Sequence, residues 1–382
     1  MSKSGLIAIA LLLVAHIPHP CSGQEAPVAA SGTSQARGDI DFSKASPHRM
    51  PASSQYTYEL RQKDEILAIN ATTAASLKSD HFNVGQVGSG KQSPGSVPQP
   101  TRGEWTAPAA HGAASLPFTT VRADLLNFAT NTQYPYSATG KLFFLFGDKV
   151  ATCSASLIKR GVVLTGAHCI AERGSKSFFS AWKFVPGYRA GEAPFGVWEA
   201  VNAWVLQSWL DGTDQCVGLA CETDIGVIVL GPKQDANGPF YAGRDTGYYG
   251  YQVGSTSFAE QGGLITHVTQ LGYPGCLDKG EYMERNDSQA FVSSQKSNTM
   301  MGTLMCQGSS GGPWLINFGQ ASELSGTNAG FASAPNAVIG VTSWGPTDPS
   351  VKVVAASPLL TSNIDVLVNE ACNAYPDACR PN

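Results

Sequence analysis

Charge is scarce in this chain: only 14% of its 382 residues are Asp, Glu, Lys or Arg, and the net charge is −4. No basic stripe stands out, which argues against nucleic acid as a partner. Long apolar runs are scarce too. Residues 5–15 (GLIAIALLLVA) form an unbroken one, but it is only about half of the roughly 20 residues that a bilayer-spanning helix needs. Lys3 precedes it and Cys21-Ser22-Gly23 follows, so residues 1–23 are expected to be a signal peptide cleaved after Gly23. His19-Pro20 argues against a lipid anchor on Cys21. Cysteine is missing from residue 24 to residue 150, and the eight left after Cys21 all lie beyond that stretch. An even number in an exported chain points to disulfides confined to the C-terminal two-thirds. The expected location is extracellular, or periplasmic in a Gram-negative host, with no membrane contact after cleavage.

Aromatic and β-branched residues are few between residues 24 and 115. Leu60, Ile66, Leu67 and Ala74 make a weak stripe that allows a helix within 58–77, and 84–115 has a Gly/Pro/Ser/Gln-rich linker composition. Such a segment buries too little surface to fold alone, so residues 24–115 are expected to be a pro-segment, mostly disordered. Turn formers are plentiful, with 41 Gly and 23 Pro beside 42% hydrophobic residues. From residue 116 onward short apolar or alternating runs follow one another: 141–146, 151–158, 161–165, 225–230, 264–271, 313–316 and 337–343. Regularly spaced strands without intervening helices predict an all-β sandwich or barrels. Near the end, Ser362 and Asp365 resemble a capping box. Ile364, Leu367, Val368 and Ala371 share a helical face, predicting a helix over about 362–372 on the last barrel.

The sharpest local signal is Gln307-Gly308-Ser309-Ser310-Gly311-Gly312-Pro313. A nucleophilic serine needs an exposed hydroxyl and converging backbone N–H groups, and clustered glycines permit both. Gly308-x-Ser310-x-Gly312 also fits the nucleophile elbow of α/β-hydrolases, where acid and histidine follow the serine. No histidine follows Ser310, which excludes that architecture. Of the two histidines beyond residue 115, His267 sits in an alternating strand and reads as a surface or groove residue. His168 sits in Leu164-Thr-Gly-Ala-His168-Cys169, just after an apolar strand. A Cys153–Cys169 bridge would clamp the loop that carries it, and adjacent ligands of this kind do not match zinc spacings. Neither a metal nor a cofactor is expected. The third member should be a carboxylate at the mouth of a buried strand, which fits Asp224 before Ile225-Gly-Val-Ile-Val-Leu230. Asp211 and Asp214 read as solvated loop residues.

Thr165-Gly-Ala-His168-Cys, Asp224-Ile, Cys306-Gln-Gly-Ser-Ser310-Gly-Gly-Pro and Ser343-Trp344-Gly345 together resemble the chymotrypsin/trypsin-like serine peptidases. Tyr134-Pro-Tyr-Ser-Ala-Thr-Gly140, Phe184-Val-Pro-Gly-Tyr188 and Leu271-Gly-Tyr-Pro-Gly275 resemble the bacterial and fungal branch that includes glutamyl endopeptidases. The resemblance runs from about residue 134 to residue 358. It implies two antiparallel six-stranded β-barrels, one over about 134–232 and one over about 240–358, in a peptidase domain spanning 116–382. It further implies a secreted monomer that cuts protein or peptide substrates, with His168, Asp224 and Ser310 in the cleft between the barrels. The oxyanion hole would be the N–H groups of Gly308 and Ser310, and Ser343, Trp344 and Gly345 would be the edge that pairs with substrate.

Two departures from the family pattern bear on activation and specificity. Ser309 stands where animal digestive relatives have an aspartate that pairs with the freed N-terminus, so activation must work otherwise. Thr342 stands where glutamyl-specific relatives have a histidine. The implied pocket base is Leu304 beside Met305, neither of which neutralises a cation, so an apolar residue is expected on the acyl side of the cut bond. Glutamyl specificity is the disfavoured alternative, and an inert binding protein on the same fold is the other. For the remaining cysteines, Cys276–Cys306 is expected because both would flank the pocket. Cys216–Cys221 and Cys372–Cys379 follow from proximity in sequence.

Overall fold

The computed structural model of the chain describes residues 26–30, 40–50, 52–53, 81–83, 85–96, 118–124, 129–214, 222–253, 265–292, 299–320, 335–346 and 351–382. The expected signal peptide, the helix within 58–77 and the Cys216–Cys221 bridge fall outside these residues.

Six strands build the first barrel: β1 (Thr139–Phe146), β2 (Lys149–Lys159), β3 (Val162–Thr165), β4 (Ser180–Pro186), β5 (Trp198–Leu206) and β6 (Gly226–Leu230). Their pairing order is β1-β2-β3-β6-β5-β4, and β4 returns to β1, which closes the sheet. The second barrel uses β7 (Ile265–Gly272), β8 (Glu284–Val292), β9 (Thr299–Gly302), β10 (Pro313–Ile316), β11 (Ala337–Pro346) and β12 (Val353–Pro358). It repeats the order as β7-β8-β9-β12-β11-β10, with β10 back on β7. Every pairing within both barrels is antiparallel. Closure leaves neither barrel with a bare edge inside its own sheet.

The continuous apolar runs have a physical reason in β6. Val227 and Val229 face one cluster while Ile228 and Leu230 face another, so both sides of the strand are buried. A strand covered on both faces reads as unbroken hydrophobicity instead of alternation. Val227 and Val229 share their cluster with Leu271, Tyr273 and Val341 of the second barrel, which is how the barrels are cemented. One charged pair crosses the same seam. Lys141 on β1 is buried, with Nζ 2.8 Å from the Gly280 carbonyl and 3.1 Å from Glu281 Oε1. Tyr188 donates its hydroxyl to the other Glu281 oxygen at 2.5 Å. Burial pushes the lysine pKa down against the pull of Glu281.

The C-terminal helix corrects an expectation. Helix α1 (Val366–Ala374) packs on the first barrel, not the last. Ile364, Leu367, Val368 and Ala371 bury into the cluster of Ile225, Val227 and Trp204, and Tyr375 meets the Trp204 ring edge-on at 6.0 Å. Its start is organised by Asn363, whose Oδ1 accepts the Leu360 N–H at 2.8 Å and whose Nδ2 donates to the Glu222 carbonyl at 2.8 Å. The expected Ser362/Asp365 box is replaced by a wide turn over Thr361–Asp365.

The composition of residues 24–115 led to an expectation of disorder, yet its described pieces include short strands that pair with strands beyond residue 129. Pro27–Ala29 pairs with β5, His81–Asn83 with Gly250–Val253, and Gly95–Ser96 with Glu192–Ala193. Farther on, Phe118–Arg122 pairs with β8. Fragments of two to five residues have no core of their own, so these borrowed edges are what order them.

Glu284, opening β8, is buried beside Asp278 and Asp124, with Arg122 across the pair. Burial first, then the neighbouring Asp278, pushes its pKa up from 4.5 to about 8. The folded carboxyl therefore keeps its proton across a window in which the unfolded one has lost it. Folding loses free energy as pH rises from 4.5 towards 8. Glu284→Gln should match the parent stability near pH 4 and exceed it by roughly 3 kcal/mol at pH 7, since each pKa unit is worth about 1.4 kcal/mol. Urea unfolding at both pH values tests this; the same difference at both would refute it.

Candidate active site

His168 leaves β3 on the short turn Ala167–Cys169, tied at its far end by the Cys153–Cys169 disulfide (Cα–Cα 6.3 Å). Asp224, just before β6, is wholly buried behind it. Its carboxylate accepts the His168 backbone N–H at 2.9 Å. The imidazole Nδ1 lies 2.8 Å from Oδ2 and 3.0 Å from Oδ1. Ser343, on β11, donates its hydroxyl to Oδ2 at 2.5 Å. Three donors thus converge on one carboxylate, two of them from the residue it positions. Gly166 is required here by close approach, because a Cβ would lie 2.9 Å from the imidazole. Cys153, His168 and Cys169 could crowd a metal ion, but both sulfurs are consumed by the disulfide and Nδ1 by Asp224.

Ser310 sits at the head of β10, on the loop that the glycines were expected to shape. Gly308 has φ of 95°, in the left-handed region that glycine alone adopts readily. Two clamps hold the loop. Gly311 N–H donates to the Thr342 carbonyl at 2.7 Å, within the second barrel. From the first barrel, Ser154 on β2 donates its N–H to the Ser310 carbonyl and its hydroxyl to the Gly308 carbonyl, both at 2.8 Å. The Tyr273 N–H donates to that same hydroxyl. A Cβ on Gly311 would lie 2.8 Å from Gly166 N, which sets the serine loop against the histidine loop. Ser310 Oγ and His168 Nε2 are both buried, and neither has a hydrogen-bond partner among the described residues. The arrangement can polarise imidazole through Nδ1 and leave Nε2 free to take a proton.

The residues expected to contact substrate are brought to one wall, with different commitments. Leu304 is half-buried, its N–H donating to Thr120 on the strand Phe118–Arg122, and Met305 is buried. Cys276–Cys306 lies beside them (Cα–Cα 6.1 Å), and Cys372–Cys379 staples the chain after α1. Thr342 Oγ1 accepts from Gln270 Nε2 at 2.7 Å and Trp314 Nε1 at 3.0 Å. The Trp344 ring is buried in the second-barrel core. Side chains of the 342–344 stretch therefore face inward, leaving backbone to present. Of the acids set aside, Asp214 is not solvated: it is buried, taking Arg173 at 2.6 Å and the Thr223 hydroxyl. His267 is exposed on β7.

Sequence reasoning passed over two residues. Ser154 carries no signature, being one small residue in a strand, though its place after Cys153 put it near His168. His48 lies in the segment expected to be disordered, yet its ring stacks on His168 with centroids 6.1 Å apart and planes 17° apart. Burial, and then the nearby His168, push its pKa down to about 4.

Two closed six-stranded antiparallel barrels, with a serine, an imidazole and a buried carboxylate gathered between them, define the chymotrypsin-like fold. The family model described as Trypsin matches residues 129–357, and the chain belongs to that family. It is 25% identical over 221 residues to a glutamyl endopeptidase of Bacillus licheniformis, a match over 58% of this chain. The chain spans 61% of that relative's length. Among solved structures it is similar to a thermostable serine protease from an extremophilic microorganism, at 21% identity and a TM-score of 0.48. That match covers 62% of this chain and 97% of that one. It is also similar to the protease Anisep of Arthrobacter nicotinovorans, at 22% identity and a TM-score of 0.46, over 62% and 94% of the two chains.

Proposed function

We propose that the chain is a secreted serine endopeptidase, exported by residues 1–23 and made with 24–115 as a pro-segment. It hydrolyses protein or peptide substrates as a monomer. Ser310 attacks the carbonyl, His168 takes its proton and returns it to the leaving amine, and Asp224 orients the imidazole. An acyl-enzyme forms and is hydrolysed by water, with Gly308 and Ser310 N–H groups receiving the oxyanion. The observation that carries this reading is the Asp224 carboxylate, sealed from solvent and bonded at once to His168 Nδ1, His168 N–H and the Ser343 hydroxyl. A structural aspartate does not require an imidazole whose outer nitrogen, like the Ser310 hydroxyl, is buried with no hydrogen-bond partner among the described residues. Fluorophosphonate labelling of the secreted protein, with peptide mapping, should find the adduct on Ser310. An adduct on another serine would refute the assignment.

For the residue on the acyl side of the cut, Leu304 and Met305 support an apolar side chain. The glutamyl endopeptidase relative supports glutamate as the second reading. Against it stands Thr342, whose oxygen already serves two donors, so that only its single proton is left for a carboxylate. Burying a carboxylate so poorly compensated costs several kcal/mol. In a panel of otherwise identical peptides, Phe and Leu should exceed Glu, Arg and Ala in kcat/KM by roughly tenfold or more. Preference for Glu would favour the second reading.

A further inference from the structure

Residues 40–50 and 52–53 cross the face of the active site. Ile40 and Phe42 anchor the near end in the first-barrel core, Phe42 meeting Phe143 edge-on at 4.5 Å. Ser46–Pro47 then pairs in parallel with Ala151–Thr152 of β2, and the His48 N–H donates to the Thr152 carbonyl at 2.8 Å. Pro47 leans on the oxyanion loop: a Cβ on Gly275 would meet its ring at 2.3 Å, and one on Gly308 at 3.3 Å. His48 stacks on His168 within a box of Phe144, Phe146 and Phe179. Met50 is buried among Trp344, Val353 and Val354, its Sδ 3.0 Å from where a Gly345 Cβ would be. Beyond it, Ala52–Ser53 pairs in parallel with Gly345–Pro346.

We propose that residues 40–50 and 52–53 belong to an autoinhibitory strap, a segment of this chain that fills its own substrate cleft in reverse. The proposal rests on Ser310 and His168 being the reacting pair and on Ser343 to Gly345 being the substrate edge. A substrate whose acyl part lies along that edge has edge residues N-terminal to the residue at the nucleophile. In the strap the order is inverted, with Pro47 and His48 at the oxyanion loop and His168, and Met50 and then Ala52–Ser53 along the edge. Its backbone therefore occupies the site without offering a carbonyl in the direction that Ser310 cleaves. Beneath it Ser310 has 0% exposure and His168 5%. This also supplies an answer to Ser309. Where the family's aspartate is missing, latency comes from occupation of the cleft, not from an unformed ion pair.

The test uses the full chain and two variants. Met50→Asp places a carboxylate in an apolar contact and should free the strap from the second barrel. His48→Gly, at a half-buried position, removes the stack and the ring's edge contacts with Phe144, Phe146 and Phe179, and serves should the first variant fail to fold. Two quantities are read: the rate of fluorophosphonate labelling at Ser310, and hydrogen exchange of peptides covering 41–50 and 340–346. The full chain should label slowly, and the variants at least tenfold faster, with faster exchange in both regions. Variants that label at the full-chain rate overturn the strap. Labelling in none of the chains, with exchange showing the strap released, instead removes Ser310 as nucleophile. The inhibitory role then falls with it, an outcome distinct from the first.

Discussion

Ser310→Ala should lose turnover by a factor on the order of 10⁴ to 10⁶ while the protein folds as before. The size of the loss follows from the chemistry, since without the hydroxyl no acyl-enzyme can form. What remains is the weak catalysis that binding and oxyanion donors give an attacking water. The silence on stability follows from the structure. Ser310 Oγ is buried with no hydrogen-bond partner among the described residues, so deleting it orphans nothing. Removing a partnered buried hydroxyl leaves its partner unsatisfied at about 1–3 kcal/mol, whereas removing this one should shift stability by less than about 0.5 kcal/mol. Turnover on a cleavable peptide and urea unfolding, measured on the same preparation, check both halves. Turnover within a hundredfold of the parent would rule out the serine.

Asp224→Asn should cost about 10⁴ in kcat with little change in KM. Asp224 has two acceptor oxygens and three donors aimed at them, and it is sealed from water. An amide turns one acceptor into a donor. If its oxygen keeps the His168 backbone N–H, its NH₂ faces His168 Nδ1 and forces that nitrogen to accept. The ring proton then moves to Nε2, where the serine needs a base. Ser343 can turn its hydroxyl to accept from the new NH₂ without moving its backbone, which is what would pair with substrate, so the loss should fall on kcat. A rise in KM with kcat preserved would instead make Asp224 a residue that only shapes the cleft.

How much of this was legible depends on how local each signal is. The strands were readable because burial on both faces leaves an apolar run in the sequence itself, as in Val227 to Leu230. His168, Asp224 and Ser310 each sit in a short stretch whose glycines, cysteines or strand boundary mark it, and chain order removed the competing architecture. Relations between distant stretches left no such mark. Nothing near Asp214 announces Arg173, some forty residues earlier, so a buried acid read as a solvated one. The helix stripe was visible, but which barrel it covers is decided by contacts with Ile225 and Trp204. Adjacency in sequence pointed to the wrong one. Ser154 and His48 were missed for the same reason: each acts through residues more than a hundred positions away.

The placement of α1 has a consequence for synthesis. A ribosome delivers the strands of the first barrel well before those of the second, and barrels of this size are ordinarily free to fold as they emerge. Here one flank of the first barrel stays bare until residues 361–379 arrive, because Ile364, Leu367, Val368 and Ala371 are what cover Ile225 and Val227. That is the strand that begins beside Asp224. The carboxylate's surroundings are therefore finished by residues made after Ser310 and after Ser343.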